Sequence, residues 1–435
     1  MSCQQVIGVA RTTRWSFWGA VATMLLGSVA WGQSADWKQQ ANDGIRTFRQ
    51  RDAAIRLLDA QGQPRAGVTV EVKQTSKRFP FGAALSPTVL RDEKYQKFFL
   101  EHYNWAVFEN DMKWYSNEGR RGTEDYSRAD AMLKWCSEHA IPVRGHCIYW
   151  EPEKWQPRWL RELTGDDLRA AVERRIDSIV SRYQGKVVHW DVNNEMLHGS
   201  FFRDRLGKDI YAWMYKRAHE IDPSAKLFVN EFNILSVDKD FQTTQVDEYV
   251  AQIQQLLAAG APIHGVGIQG HVWSKTVLEH PETLRTNLDK VAALGLPIWI
   301  SEFDCAFEEE AANADCLEAV YRTAYGHPAV EGLVAWVFWA GNSWRGPNAG
   351  LARRDWSLNA AGERFEALMK EWSTEVSGVT DAEGRFAFRG FHGDYAVTIR
   401  AGSDEATHKT FQLELGQDVK VVEFVDEASE IRNGK

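Results

Sequence analysis

Eight short apolar stretches alternate with amphipathic helical ones across residues 79–372, and few folds accommodate that rhythm. The strand candidates begin at Phe79 (FPFGAAL), Ala106 (AVFEN), Ile141 (IPVRGHCIYW), Val187 (VVHWDVNNE), Lys226 (KLFVNEFN), Gly265 (GVGIQGHVW), Pro297 (PIWISEFD) and Gly332 (GLVAWVFWA). Between them, Leu168, Val172, Ile176 and Ile179 form one apolar helical stripe, with Thr164 placed to cap it. Residues 246–259 and 284–294 repeat the theme. Eight such units in about 290 residues are what an α/β fold of the (β/α)8 TIM-barrel type requires. The rival, a doubly wound open sheet, usually carries a glycine-rich phosphate turn, and none follows the first strand.

Barrels of this kind carry their chemistry at the C-terminal strand ends. Two strands leave the core on a carboxylate: VVHWDVNNE ends at Glu195 and PIWISEFD presents Glu302. Either glutamate alone is most simply a surface residue after a strand. Two in matching contexts are the pair a glycosidase needs, one to protonate the leaving oxygen and one to attack the sugar carbon or activate water. The other strand ends are polar as well: Glu109, Asn110 and Lys113 after the second, His146 and Trp150 on the third, Asn194 on the fourth. The fifth ends in Asn230-Glu231-Phe232-Asn233, the sixth carries Gln269 and His271, and Trp336 and Trp344 bracket the exit of the last. Gln269 and His271, two apart on a strand, are expected on one face.

The flanks read differently. Residues 1–32 place Arg11 and Arg14 before an apolar run and Ala30-Trp31-Gly32, the order of a secretory signal peptide, with an uncleaved membrane anchor as the alternative. Secreted or periplasmic localisation would follow. Residues 33–78 read as a polar helix and a β-hairpin, its strands around Ile55 and around Val68, Val70 and Val72. Residues 79–372 are the barrel. Residues 373–435 form a small all-β module with turns at DAEG, RGFHGD and LGQD. It is too small to bury much alone, and it either packs with the N-terminal hairpin and braces the barrel or binds polysaccharide.

The formal net charge of -9 becomes -11 without the leader, and no basic run grips phosphate, which argues against nucleic acid as a partner. The 19 tryptophans fit stacking on sugar faces, although large cores use them too. Cys136, Cys147, Cys305 and Cys316 remain after the leader: buried free thiols, or two disulfides in one of three pairings, with Cys305 and Cys316 close enough in sequence to pair. None has the spacing of a metal site, and no cofactor is implied.

Taken in order, ENDMKW, RGH, WDVNNE, NEFN, QGH, ISEFD and the closing tryptophans resemble glycoside hydrolase family 10, the family of retaining endo-β-1,4-xylanases. The resemblance implies that Glu195 is the acid/base and Glu302 the nucleophile. It implies that Asn194 binds the 2-hydroxyl of the reacting sugar and that His271 holds the nucleophile's carboxylate. Glu109, Asn110, Lys113, His146 and Gln269 would bind sugar hydroxyls, Trp150 would stand beside them, and Trp336 and Trp344 would wall the cleft. The implied partner is xylan or a related plant cell-wall polysaccharide, with a related β-glycosidase acting on β-glucan or a small β-glycoside as the alternative. A non-catalytic xylan binder on the same barrel is a further alternative, which the presence of both glutamates disfavours. The sequence gives no handle on oligomeric state beyond a monomer as the default.

Three departures stand out. Glu151-Pro152-Glu153 follows Trp150 where the family has histidine, serine and glutamine, Ala340 replaces a usual acidic residue, and Phe303 and Cys305 occupy positions more often aliphatic. This pattern resembles the branch of the family common in plants. It bears on the substrate's fine identity and on the shape of the non-reducing-end subsites. For the pair itself, a retaining mechanism needs Glu195 protonated and Glu302 ionised. The charge of Glu302 is expected to raise the acid's pKa, and donors such as His271 to hold the nucleophile down.

Overall fold

In the computed structural model, residues 33–400, 406–416 and 418–425 are described, so the signal peptide expected over residues 1–32, Cys3 within it and the last ten residues lie outside the described region. Sixteen strands follow in chain order. Two precede the barrel, β1 (Gln50–Leu58) and β2 (Thr69–Lys77). The barrel region holds β3 (Phe81–Leu85), β4 (Trp105–Phe108), β5 (Val143–Trp150), β6 (His189–Asn194), β7 (Lys226–Glu231), β8 (Gly265–Ile268), β9 (His271–Val272), β10 (Ile298–Cys305) and β11 (Val330–Ala335). After the barrel the described residues hold β12 (Glu375–Val379), β13 (Arg385–Phe391), β14 (Gly393–Arg400), β15 (Thr407–Leu413) and β16 (Lys420–Val425).

Strands β3 to β8, β10 and β11 are parallel neighbours in sequence order, and β11 pairs with both β10 and β3. The sheet therefore closes on itself as the eight-stranded barrel expected. Its interior is filled by Ala84, Val107, Phe228, Trp299, Val334 and Trp336. The helices pack outside on a larger apolar shell. Helix Gly165–Tyr183 buries Leu168, Val172, Ile176 and Ile179 as its spacing predicts. Thr164 occupies its N-cap but makes no side-chain capping bond; Asp166 and Asp167 in the first turn complement the helix dipole instead.

The expected N-terminal hairpin is not one. β1 pairs with β13 and β16, whereas β2 pairs with β12 and β14. The two strands split between opposite sheets, β13-β1-β16 and β12-β2-β14-β15. Ile55, Leu57, Val70 and Val72 meet Tyr395, Val397, Ile399 and Leu413 between those sheets. The physical reason is burial: a lone two-stranded hairpin leaves one apolar face in water, and the C-terminal strands supply its cover. This sandwich is tied to the barrel by Arg49, whose guanidinium donates to the carbonyls of Tyr325, His327 and Val330 at 2.7, 2.6 and 2.7 Å. The four described cysteines are buried free thiols rather than disulfides. Among the described residues no helix is long and apolar enough to cross a membrane.

Candidate active site

At the C-terminal ends of the strands a cleft of about 520 Å³ opens. All twelve residues singled out from the sequence line it: Glu109, Asn110, Lys113, His146, Trp150, Asn194, Glu195, Gln269, His271, Glu302, Trp336 and Trp344.

Glu195 enters from β6. Its backbone sits at φ 60, the left-handed region that costs a non-glycine residue about 1–2 kcal/mol. Its N–H donates to the Asn230 carbonyl at 3.0 Å, fixing the chain as it leaves the strand. Gln269 Nε2 donates to Glu195 Oε1 at 3.0 Å. Burial pushes the Glu195 carboxyl up to about 7, helped next by the charge of Glu231, while the hydrogen bonds oppose the rise. Glu302 raises it as expected, as a smaller contribution behind burial and Glu231. Glu231 is fully buried on β7. Its carboxylate accepts from Leu197 N at 2.9 Å, Phe232 N at 3.0 Å and His198 Nδ1 at 2.6 Å.

Glu302 enters from β10 into the opposite environment. Asn230 Nδ2 donates to its Oε1 at 2.7 Å, and the Ser301 hydroxyl donates to Asn230 Oδ1 at 2.5 Å, which fixes that amide's orientation. Asn230 Nδ2 also lies 2.9 Å from the Asn194 side chain, so one amide links the ends of β6 and β10. His271 Nε2 is 3.3 Å from Oε2, and His146 Nε2 is 3.9 Å from Oε1. Burial alone would raise the Glu302 carboxyl, but His146, His271 and Lys113 outweigh it and hold the group at about 2.

The two histidines are braced from behind. His146 Nδ1 lies 2.9 Å from Asp191, which also pairs with the buried Arg144. His271 Nδ1 lies 2.9 Å from Asp304. Burial works against the imidazolium of His271, yet Asp304 and Glu302 lift it to about 10. Asp304 is in turn held by Arg345 Nη1 at 2.6 Å and Trp344 Nε1 at 2.8 Å. Gln269 and His271 do face the same cleft, but not by simple strand alternation. The strand breaks at Gly270 (φ 82) between β8 and β9, and β9 then pairs His271 with Asp304.

On the β4 side, Lys113 is buried, its ammonium 4.5 Å from the Trp150 ring and 5.7 Å from Trp336. Tyr115 donates to Asn110 Oδ1 at 2.7 Å. Burial raises the Glu109 carboxyl above its ordinary range, with Lys113 opposing. Trp336 meets His146 edge-on at 5.2 Å, and Trp344 is half exposed at the rim. Trp339 instead stacks on Trp356, outside the cleft lining.

Several lining residues were not singled out beforehand: Tyr115, Lys154, Trp155, Phe232, Asp238, Lys239, Asp240 and Trp273. Asp304 and Trp273 carried a usable signal, each standing two positions beyond a candidate on the same stretch. Glu151, in the departing segment, does not line the cleft. It is fully buried, accepts from Asn193 Nδ2 at 2.8 Å and Phe202 N at 3.2 Å, and is pushed by burial up to about 7.

The model of glycosyl hydrolase family 10 matches residues 71–360. An anti-sigma-I factor, RsgI6, from Acetivibrio thermocellus is 44% identical over 380 residues, which is 87% of this chain and 49% of that protein. Endo-1,4-beta-xylanase 1 from Arabidopsis thaliana is 40% identical over 375 residues, 86% of this chain and 39% of the other. The chain thus spans half or less of the length of these two relatives. Among solved structures, native xylanase 10B from Thermotoga maritima superposes with a TM-score of 0.59 at 26% identity, covering 68% of this chain and 97% of that one.

Proposed function

The chain belongs to glycosyl hydrolase family 10, and from that membership we propose that it cleaves β-1,4-xylosidic bonds within xylan with retention of anomeric configuration. The observation that carries the reading is the divergence of two buried carboxyls, Glu195 at about 7 and Glu302 at about 2. At mildly acidic pH one is an acid and the other an anion, which is the division of labour retention requires.

In the first step a Glu302 carboxylate oxygen bonds to the anomeric carbon as the glycosidic bond breaks, and the Glu195 proton passes to the leaving oxygen. In the second, Glu195 takes a proton from water, the water oxygen bonds to the anomeric carbon, and the ester to Glu302 breaks. Both steps pass through a flattened, cationic ring. Asn194, beside the amide of Asn230, is assigned to the 2-hydroxyl, where its hydrogen bond strengthens as charge grows. Glu109, Asn110, Lys113, His146 and Gln269 are assigned to the remaining hydroxyls, and Trp150, Trp336 and Trp344 to the ring faces. The chemistry needs no metal or cofactor.

The test is a time course of products from glucuronoxylan, with proton NMR of the first product formed. A ladder of oligosaccharides appearing first as β-anomers, and absent with Glu302→Ala, supports the proposal. A first product in the α form removes retention. A single short product removes internal cleavage, and no product with undiminished xylan binding makes the chain a binder.

A further inference from the structure

The segment that departs from the family pattern, Glu151 to Trp155, builds a surface of its own at the cleft's β5 edge. Trp155 stacks on Trp150 with ring centres 4.8 Å apart and planes 11° from parallel. It still exposes 41% of its surface, in a wall of the cleft. Exposed aromatic surface in a sugar cleft is apolar area that a pyranose ring can cover.

The segment is rigid for reasons visible in its bonds. Glu151 is anchored in the core as described, Gln156 donates its amide to the Trp150 carbonyl, and Arg205 Nη2 holds Glu153 at 3.0 Å. Arg161 Nη2 donates to the carbonyls of Lys154 at 2.6 Å and Gln156 at 2.9 Å. The backbone of Lys154 is therefore fixed, while its side chain makes no ion pair or hydrogen bond among the described residues. Its ammonium rests 5.2 Å from the Trp155 ring centre and lines the cleft.

The other cleft cations are engaged. Lys113 is buried against Asn110 and two indoles, and Lys239 lies 3.2 Å from Asp240. The rims also differ in charge, with Lys113, Lys154 and Glu109 on the β4–β5 side and Asp238, Lys239 and Asp240 beyond β7, so the balance is positive on the first and negative on the second. A polymer carrying carboxylate branches would be drawn to the first side and repelled from the second.

Resting on the xylanase reading above, we propose that Trp155 and Lys154 form a subsite for a xylose unit bearing a uronate branch, the ring stacked on Trp155 and the carboxylate paired with Lys154. The probes are xylotetraose and the same oligosaccharide with one glucuronate branch, titrated calorimetrically into the Glu302→Gln protein with and without Lys154→Met or Lys154→Glu. Lys154→Met is expected to cut the affinity ratio, branched over plain, about five- to tenfold, and Lys154→Glu to cut it further. Trp155→Ala and the milder Trp155→Phe should weaken both ligands, the first by about tenfold. Equal losses for both ligands in the two Lys154 variants overturn the uronate assignment, and unweakened binding in both Trp155 variants overturns the stacking. Turnover of xylohexaose by the unsubstituted protein separates the two readings. Turnover with no charge-selective loss discards this subsite and keeps the xylanase, whereas no turnover and no binding of either probe discards both.

Discussion

The ends of β6 and β10 present the same residue type at similar depth, and the molecule treats the two in opposite ways. Glu195 is 9% exposed and Glu302 4%, so burial penalises the charged form of each. At β6 that penalty stands, because the charge that acts on it most is the carboxylate of Glu231 and the hydrogen-bond donor Gln269 is neutral. At β10 it is overturned by His146, His271 and Lys113, with Asn230 as a further donor. The difference teaches that two like carboxyls at equivalent strand ends are distinguished by what stands behind each, which on the proposed function separates acid from nucleophile. It also sets a pH window. The proposed mechanism requires Glu302 ionised and Glu195 protonated, so kcat/KM should fall as pH rises through about 7 and as pH drops toward about 2. Stability follows the same signs. The contribution of Glu302 is complete above its ordinary 4.5 and lost as pH falls through about 2. That of Glu195 is present below 4.5 and lost as pH rises through about 7.

The largest break in the comparison is removal of the β10 partner. Glu302→Ala should lower turnover of xylan and of an activated aryl xylobioside alike, by at least about 10⁴-fold, because both need the nucleophile. Reducing-sugar release and aryl release read the two. Glu195→Ala should instead separate them. Xylan cleavage falls by about 10²–10⁴-fold, while the bond to a dinitrophenolate, which leaves without a proton, still breaks. Its signature is a burst of dinitrophenol, since the second step then lacks its base. Equal losses on both substrates would remove Glu195 from the acid role. A smaller break is Asp304→Asn. Without that carboxylate His271 loses its main support, so the Glu302 limb of the pH profile should rise above about 2 while the limb near 7 stays. A lower limb that does not move would show that His146 and Lys113 suffice.

Much of this was legible in the chain, and the part that was not has a common cause. Each barrel strand announces itself as an apolar run that turns polar at its end, and side chains there have nowhere to point but the mouth. That is why Glu195, Glu302 and their ten companions meet in one cleft. Contacts set by distant pairing were hidden. β1 and β2 looked like a hairpin because they are close in sequence, while their true partners lie some 300 residues on. Asp304 stood in plain view after Glu302, but its hold on His271 depends on the break at Gly270 and the short β9 pairing. Trp155 needed the fold of its own loop before it could be seen to cover Trp150. The Glu302 contribution to the Glu195 shift was legible, whereas the larger one from Glu231 was hidden for the same reason: it comes from the strand next door.

Glu231→Gln is the finest test of the contrast, because it removes a charge from the β6 side and leaves β10 alone. The buried carboxylate both raises Glu195 and gathers Leu197 N and His198 Nδ1, in the turn just past it. Other charges facing this turn are few: His198 itself, whose proton Glu231 helps to retain against burial, and Glu302 across the cleft. The amide keeps the shape of the side chain and the oxygen that accepts from Phe232 N and His198 Nδ1, so the repulsion ends at the cost of the single bond from Leu197 N. The limb near 7 is then expected to move down by about one unit, and activity at pH 7 relative to pH 5 to fall several-fold. The lower limb should not move, since Glu231 is absent from the groups that set Glu302. A full pH profile of kcat/KM separates this outcome from simple damage to the turn, which would lower activity evenly at every pH. If the upper limb stays near 7, burial alone holds the proton on Glu195, and the contrast between the two strand ends rests on β10.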